Sequence, residues 1–177
     1  MRAEIRKEVE LIDPLDVLEG ESKADVLAWI DSGVALCRTR KPAVPPKHLI
    51  SYFAVVDGDH FLLVDHINAE RWLPPGGHVE PGEHPRTTAL REAKEELSID
   101  GQFLNDGPVF LTITETVGRT AGHTDVSLWY VLRGDRSAEI EFDRSEFHRV
   151  RWFHKDNIPL DRSDPHMDRF LRKLYRK

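Results

Sequence analysis

Cys37 is the only cysteine in 177 residues, so no internal disulfide can form and a cysteine-based metal site is excluded. Long apolar runs are missing too. The longest, around Leu49 to Val56, falls far short of the roughly 20 residues that span a bilayer, so no membrane partner is expected. The opening MRAEIRKEVE is charged and lacks the apolar stretch of a secretion signal, which makes the cytoplasm the default location. There is no basic block either: 25 Lys and Arg stand against 31 Asp and Glu, for a net charge of −6. That balance disfavours a nucleic acid polymer as partner but leaves room for a small anionic substrate bridged by cations. What is present, 40% hydrophobic and 32% charged residues, describes an ordinary globular chain with enough length for one well-buried core.

Residues 1–46 read as a helical extension and linker before a domain at 47–177. Ile5, Val9 and Ile12 keep helical spacing until Pro14 interrupts. Ser22 with Asp25 suggests a capping box, followed by the apolar stripe Val26, Leu27 and Ile30. KPAVPP (41–46) reads as a stiff linker. From His48 the texture becomes β-like: HLISYFAVV and HFLLVDHI flank Asp57-Gly58-Asp59, a hairpin signal. VFLTITETV (109–117), DVSLWYVL (125–132) and HRVRWF (148–153) follow as strands. A last helix is expected to start at Asp164-Pro165, with Met167, Phe170, Leu171 and Leu174 on its buried face. Strands interleaved with helices predict an α/β fold with a mixed sheet covered by helices.

The chemistry concentrates in GHVEPGEHPRTTALREAKEELSI, residues 77–99. Pro85 suits the first turn of a helix and Gly82 the loop before it. On that helix Ala89, Leu90, Ala93 and Leu97 share a packing arc, while Glu92, Glu95 and Glu96 share an adjoining one. Like charges at these spacings repel by a few tenths of a kcal/mol each. Two readings account for them: a solvated acidic surface, or a seat for a hard divalent cation completed by substrate phosphates. The helix by itself does not choose.

The surrounding spacing does. Gly77, Glu83, Arg91, Glu92, Glu95 and Glu96 match a six-position pattern expected by chance in on the order of one chain in 10⁵. The segment resembles the Nudix box, the signature of the Nudix hydrolases, over residues 72–99, and the element order resembles that family over 48–177. The resemblance implies a Nudix-type α/β/α sandwich and hydrolysis of a diphosphate linkage in a nucleotide, with Mg²⁺ or Mn²⁺ as cofactor. It implies metal ligation by Glu92, Glu95, Glu96 and a backbone carbonyl of Gly76 or Gly77. It also implies a Glu83–Arg91 pair that fixes the loop, and a further acid or base at Glu146. The general base is a box glutamate or a later residue such as Glu146. Ser98 departs from the box, which carries glycine there.

Weaker signals surround the box. Trp72 precedes the glycines on a short strand and is a candidate for a base pocket or for the core. Glu115, His123 and Asp125 lie on a strand–loop–strand segment that could face substrate. His78 and His84 flank the loop, but no paired spacing suggests zinc. Trp129 and Trp152 read as core. A small nucleotide is the expected partner, a nucleoside triphosphate (oxidised or not) being the first expectation. A nucleoside diphosphate sugar or ADP-ribose is the alternative, and the N-terminal extension fits a homodimer completing a larger pocket. A non-catalytic ligand-sensing module of the same family is a third reading.

Overall fold

The computed structural model describes residues 1–40, 44–116 and 122–176. Helix α1 (Arg2–Leu11) ends three residues before Pro14, and α2 (Val17–Asp31) follows. The box helix is α3 (Pro85–Leu97), with Pro85 in its first turn, and the chain closes with α4 (Met167–Leu174). Among the described residues seven strands form one sheet: β1 (Lys47–Asp57), β2 (His60–His66), β3 (Arg71–Leu73), β4 (Gly76–His78), β5 (Phe110–Glu115), β6 (Thr124–Arg133) and β7 (Phe147–His154). β1 runs parallel to β6 and antiparallel to β2 and β4, so the sheet is mixed. The hairpin turn comes where Asp57-Gly58-Asp59 indicated, with Asp57 opposite His60.

Alternation along β1 separates two cores. Leu49, Phe53 and Val55 face Ile5, Val9, Val26 and Ile30 of α1 and α2 and Ala89, Ala93 and Leu97 of α3. Ala54 and Val56 face the opposite way, with Trp129, Met167 and Phe170. Trp129 is fully buried and donates to Thr112 Oγ1 at 3.0 Å; Trp152 packs half-buried against the first core. Helices on both faces of a mixed sheet make the expected α/β/α sandwich.

Several local expectations are corrected. The cap of α2 is Asp16, not Ser22: the Glu19 N–H donates to Asp16 Oδ1 at 2.9 Å. Ser22 lies inside the helix and donates to the Leu18 carbonyl. Asp16-x-x-Glu19 supplies a cap one and a half turns earlier, so the chain has no reason to wait for Ser22. Helix α4 begins at Met167 because Asp164 Oδ1 accepts from the His166 N–H and turns the chain first. Leu90 is 36% exposed rather than packed; the rest of the expected arc, Ala89, Ala93 and Leu97, is buried, together with Thr88 and Glu96. The glycine loop is a short strand, β4, paired to β1. Within the expected linker, residues 41–43 lie outside the described residues, as does Val117 of the expected third strand; Pro46 accepts from the Thr124 N–H at 2.7 Å.

Ser98 caps α3 in the left-handed region at φ 55, and its N–H donates to the Lys94 carbonyl. A side chain there costs roughly 1 kcal/mol relative to glycine. Ser98→Gly is therefore expected to raise Tm by about 2–4 °C, read by calorimetry, without changing activity.

Candidate active site

β4 and α3 build the site between them. A Cβ on Gly77 would stand 2.1 Å from Glu92 Oε1, and one on Gly76, at φ +152, would stand 2.3 Å from the Ser51 carbonyl oxygen. Only glycine lets this strand lie so close to the carboxylate helix. Arg91 then ties the preceding loop to the helix. Its Nε and Nη2 donate to Glu83 Oε1 and Oε2, both at 3.0 Å, and Thr88 Oγ1 donates to Glu83 Oε2 at 2.8 Å. Arg91 Nη1 also reaches Glu92 Oε1 at 2.8 Å and Glu95 Oε2 at 3.1 Å. Burial works against a charged Glu83, but the Arg91 fork and the Thr88 hydroxyl outweigh it and hold its carboxyl below the ordinary value.

One guanidinium thus relieves part of the repulsion on α3. Glu96 is left over: it is 6% exposed, and its buried Oε2 has no hydrogen-bond partner among the described residues. Burial first, then the Glu92 and Glu146 carboxylates, push its pKa up to about 9, against a pull from the Gly76 backbone. Burial also raises Glu92, with Arg91 opposing. Glu146 is exposed in the turn before β7, where its charge acts on both Glu92 and Glu96. An orphaned buried carboxylate oxygen among acidic neighbours is a donor set that a hard divalent cation satisfies, so these residues fit the metal that the box implies.

The same electrostatics predict a pH effect in chelator. A folded pKa raised above the unfolded 4.5 means the native chain keeps a proton that the unfolded chain releases. Stability is complete below about 4.5 and is lost as pH rises towards about 9. Without metal, Tm should fall between about pH 5 and 9. Added Mg²⁺ should restore it more at about pH 8 than at pH 6, because binding must displace that proton. A calorimetric series with Glu96→Gln as control checks this; the control should lose most of the slope.

On its other side β4 borders a cavity of about 440 Å³ whose walls include Tyr52, His66, Gly76, Gly77, His78 and Phe147, a size ordinary for a small-molecule site. His123 and Asp125 also line it. Trp72 does not: its ring is buried against Phe153 at 5.0 Å in the α4-side core. Alternation on β3 turns Leu73 to the cavity instead. Glu115 ends β5 exposed, opposite Thr124, and is not among the lining residues. His84 caps α3, its Nδ1 accepting from the Arg86 N–H at 3.2 Å. His48 was not singled out in the sequence, yet it lies with His78, His123 and Asp125, one ligand atom of each within 4.8 Å of the others. The four come from three separate segments, so no linear spacing displays the set; only His123-x-Asp125, at the start of β6, hints at it.

Comparison with known proteins agrees with this architecture. The NUDIX domain model matches residues 47–174. The asymmetrical bis(5'-nucleosyl)-tetraphosphatase of Mus musculus is 33% identical over 106 residues, covering 60% of this chain and 71% of that protein. Among solved structures, a MutT NUDIX hydrolase from Burkholderia pseudomallei aligns with TM-score 0.58 at 22% identity, over 71% of this chain and 96% of the other. An Ap4A hydrolase from C. elegans aligns with TM-score 0.56 at 22% identity, over 71% and 94%. At those identities the structures speak for the fold alone. Among the described residues no helix is long and apolar enough to cross a membrane. With the six box positions in place and the family match extending over most of its length, the chain belongs to the Nudix hydrolases, enzymes that cleave phosphorus-containing anhydrides in nucleotide-like substrates.

Proposed function

We infer that this chain hydrolyses the polyphosphate bridge of a dinucleoside tetraphosphate, releasing a nucleoside triphosphate and a nucleoside monophosphate. The observation that carries the reading is the position of β4, with the carboxylate face of α3 on one side and a nucleotide-sized cavity on the other. The Mus musculus relative named for that cleavage supports the choice of substrate. In this reading Glu92, Glu95 and Glu96, with a backbone carbonyl of Gly76 or Gly77, would hold Mg²⁺ or Mn²⁺. When bound, the metal withdraws charge from the phosphates and lowers the pKa of water. The residues of the chain do the positioning. Arg91 and Glu83 keep β4 against α3, and Tyr52 and His66 offer ring surface to a base. Glu146 or a box glutamate takes the proton as water attacks phosphorus and the anhydride P–O bond breaks.

A nucleoside triphosphate, cleaved to monophosphate and pyrophosphate, presents the same anhydride and is the reading to beat. The test is a Mg²⁺-containing panel of dinucleoside tetraphosphate, common and oxidised nucleoside triphosphates, ADP-ribose and a nucleoside diphosphate sugar, with products resolved by chromatography. The expected outcome is the highest kcat/KM for the tetraphosphate, with triphosphate and monophosphate as products. A higher value for a triphosphate or for ADP-ribose would overturn the substrate assignment. Absence of turnover on every member would favour the non-catalytic reading.

A further inference from the structure

We propose that His48, His78, His123 and Asp125 form a second metal site, of the zinc class and structural in role, distinct from the acidic face of α3. It does not depend on the substrate assignment. His48 is fully buried, and its Nδ1 lies 2.9 Å from the Pro45 carbonyl oxygen. A carbonyl only accepts, so Nδ1 carries the hydrogen and Nε2 presents a bare lone pair. That lone pair faces Asp125 Oδ1 at 3.5 Å, and neither atom has a hydrogen-bond partner among the described residues. At His123 the Thr116 hydroxyl donates to the His123 carbonyl at 3.0 Å, which leaves Oγ1 to accept from Nδ1 at 3.2 Å, and Nε2 lies 3.2 Å from the same Asp125 oxygen. Two imidazole nitrogens thus converge on a carboxylate oxygen, each ring held through its other nitrogen, the outer-shell pattern that orients metal-binding histidines.

The spacing suits a small tetrahedral ion. With bonds of about 2.0–2.1 Å, the edges of a zinc tetrahedron measure roughly 3.3 Å, against 3.5 and 3.2 Å from Asp125 Oδ1 to the two histidines. The ring centroid of His78 stands 5.0 Å from that of His48, and its ligand atom falls within the 4.8 Å group, so a small inward movement completes the set. Three imidazoles and one carboxylate favour a borderline transition ion over Mg²⁺, which prefers oxygen.

The sheet preorganises these ligands. His48 sits directly beside Asp125 in the parallel β1–β6 ladder, and His78 ends β4 opposite Ile50, two residues along β1. Four protein ligands leave no open position, the mark of a structural centre. Such a centre would pin the ends of β1, β4 and β6 together as one wall of the cavity. β4 would then be shared: Gly77 abuts Glu92 on one side, and His78 serves the second centre on the other.

The full-length chain, stripped with chelator, reloaded with zinc and separated from excess ion by gel filtration, should retain about one zinc per chain by mass spectrometry. His48→Ala and Asp125→Asn should fall to background. Glu95→Gln, which touches only the acidic helix, should keep its zinc. Cobalt substitution gives a readout independent of folding losses: strong visible absorption of a four-coordinate ion in wild type, absent from His123→Gln whose circular dichroism matches wild type. Zinc retained undiminished by the histidine variants, zinc lost from Glu95→Gln instead, no stoichiometric zinc in wild type, or the faint spectrum of six-coordinate cobalt would each overturn the proposal.

Discussion

Replacing Glu96 by glutamine should lower metal-dependent turnover by about three decades while leaving the fold intact. The side chain is almost fully buried, and Oε2 has no hydrogen-bond partner among the described residues. In the metal-free chain it holds a proton at neutral pH, its pKa lying at about 9. Glutamine is nearly isosteric with that protonated form, so stability in chelator should be equal or better at about pH 8. In the proposed reading the carboxylate is needed only when a cation replaces the proton. Lewis-acid stabilisation is worth several kcal/mol, and each 1.36 kcal/mol is a factor of ten. Steady-state rates with saturating Mg²⁺, paired with a thermal melt in chelator, separate the two effects. Turnover within a few-fold of wild type would remove Glu96 from the metal site.

Removing Glu19 should cost about 3–5 kcal/mol of stability, the range for breaking one half of a buried ion pair. Glu19 is fully buried at the start of α2. Its Oε2 accepts from the Leu15 N–H at 2.7 Å, and its Oε1 accepts from the Leu111 N–H of edge strand β5 at 3.3 Å. Oε1 also pairs with Lys173 of α4, an ammonium whose pKa burial pushes down against the pull of Glu19. Glu19→Ala strands that ammonium and leaves an edge N–H without its acceptor. Asp16 adds a second link, pairing with Arg169 of α4 at 2.6 Å. The double replacement Glu19→Leu with Lys173→Met should recover part of the loss, because no lone charge remains buried. Denaturant unfolding of the single and double variants measures both. A loss under about 1 kcal/mol for Glu19→Ala would mean that α2 contributes little to holding the sheet edge.

The sequence was most informative where period and punctuation agreed. Pro85 and the arc of Ala89, Ala93 and Leu97 located α3, and Asp57-Gly58-Asp59 located the first hairpin, because those signals are local. The six-position spacing brought Glu83, Arg91 and the glutamates into view for the same reason: one helix and the loop before it carry them all. Tertiary competition decided the rest. Asp16 displaced Ser22 as a cap, and the pairing of β4 with β1 made a strand of an apparent loop. Trp72 and Leu73 differ by one residue, and the pleat sends one to the core and the other to the cavity. His48 was invisible for a different reason. Its neighbours His78, His123 and Asp125 reach it through strand register, which a linear pattern does not encode.

The most direct test of the central claim, that the carboxylates of α3 grip divalent ions against a pyrophosphate group, is a crystal structure with Mn²⁺ and a non-hydrolysable dinucleoside tetraphosphate. Anomalous density is expected beside the carboxylates of Glu92, Glu95 and Glu96, next to the bound phosphates. Those three side chains turned to solvent, with phosphates bound elsewhere and no ion between, would contradict it.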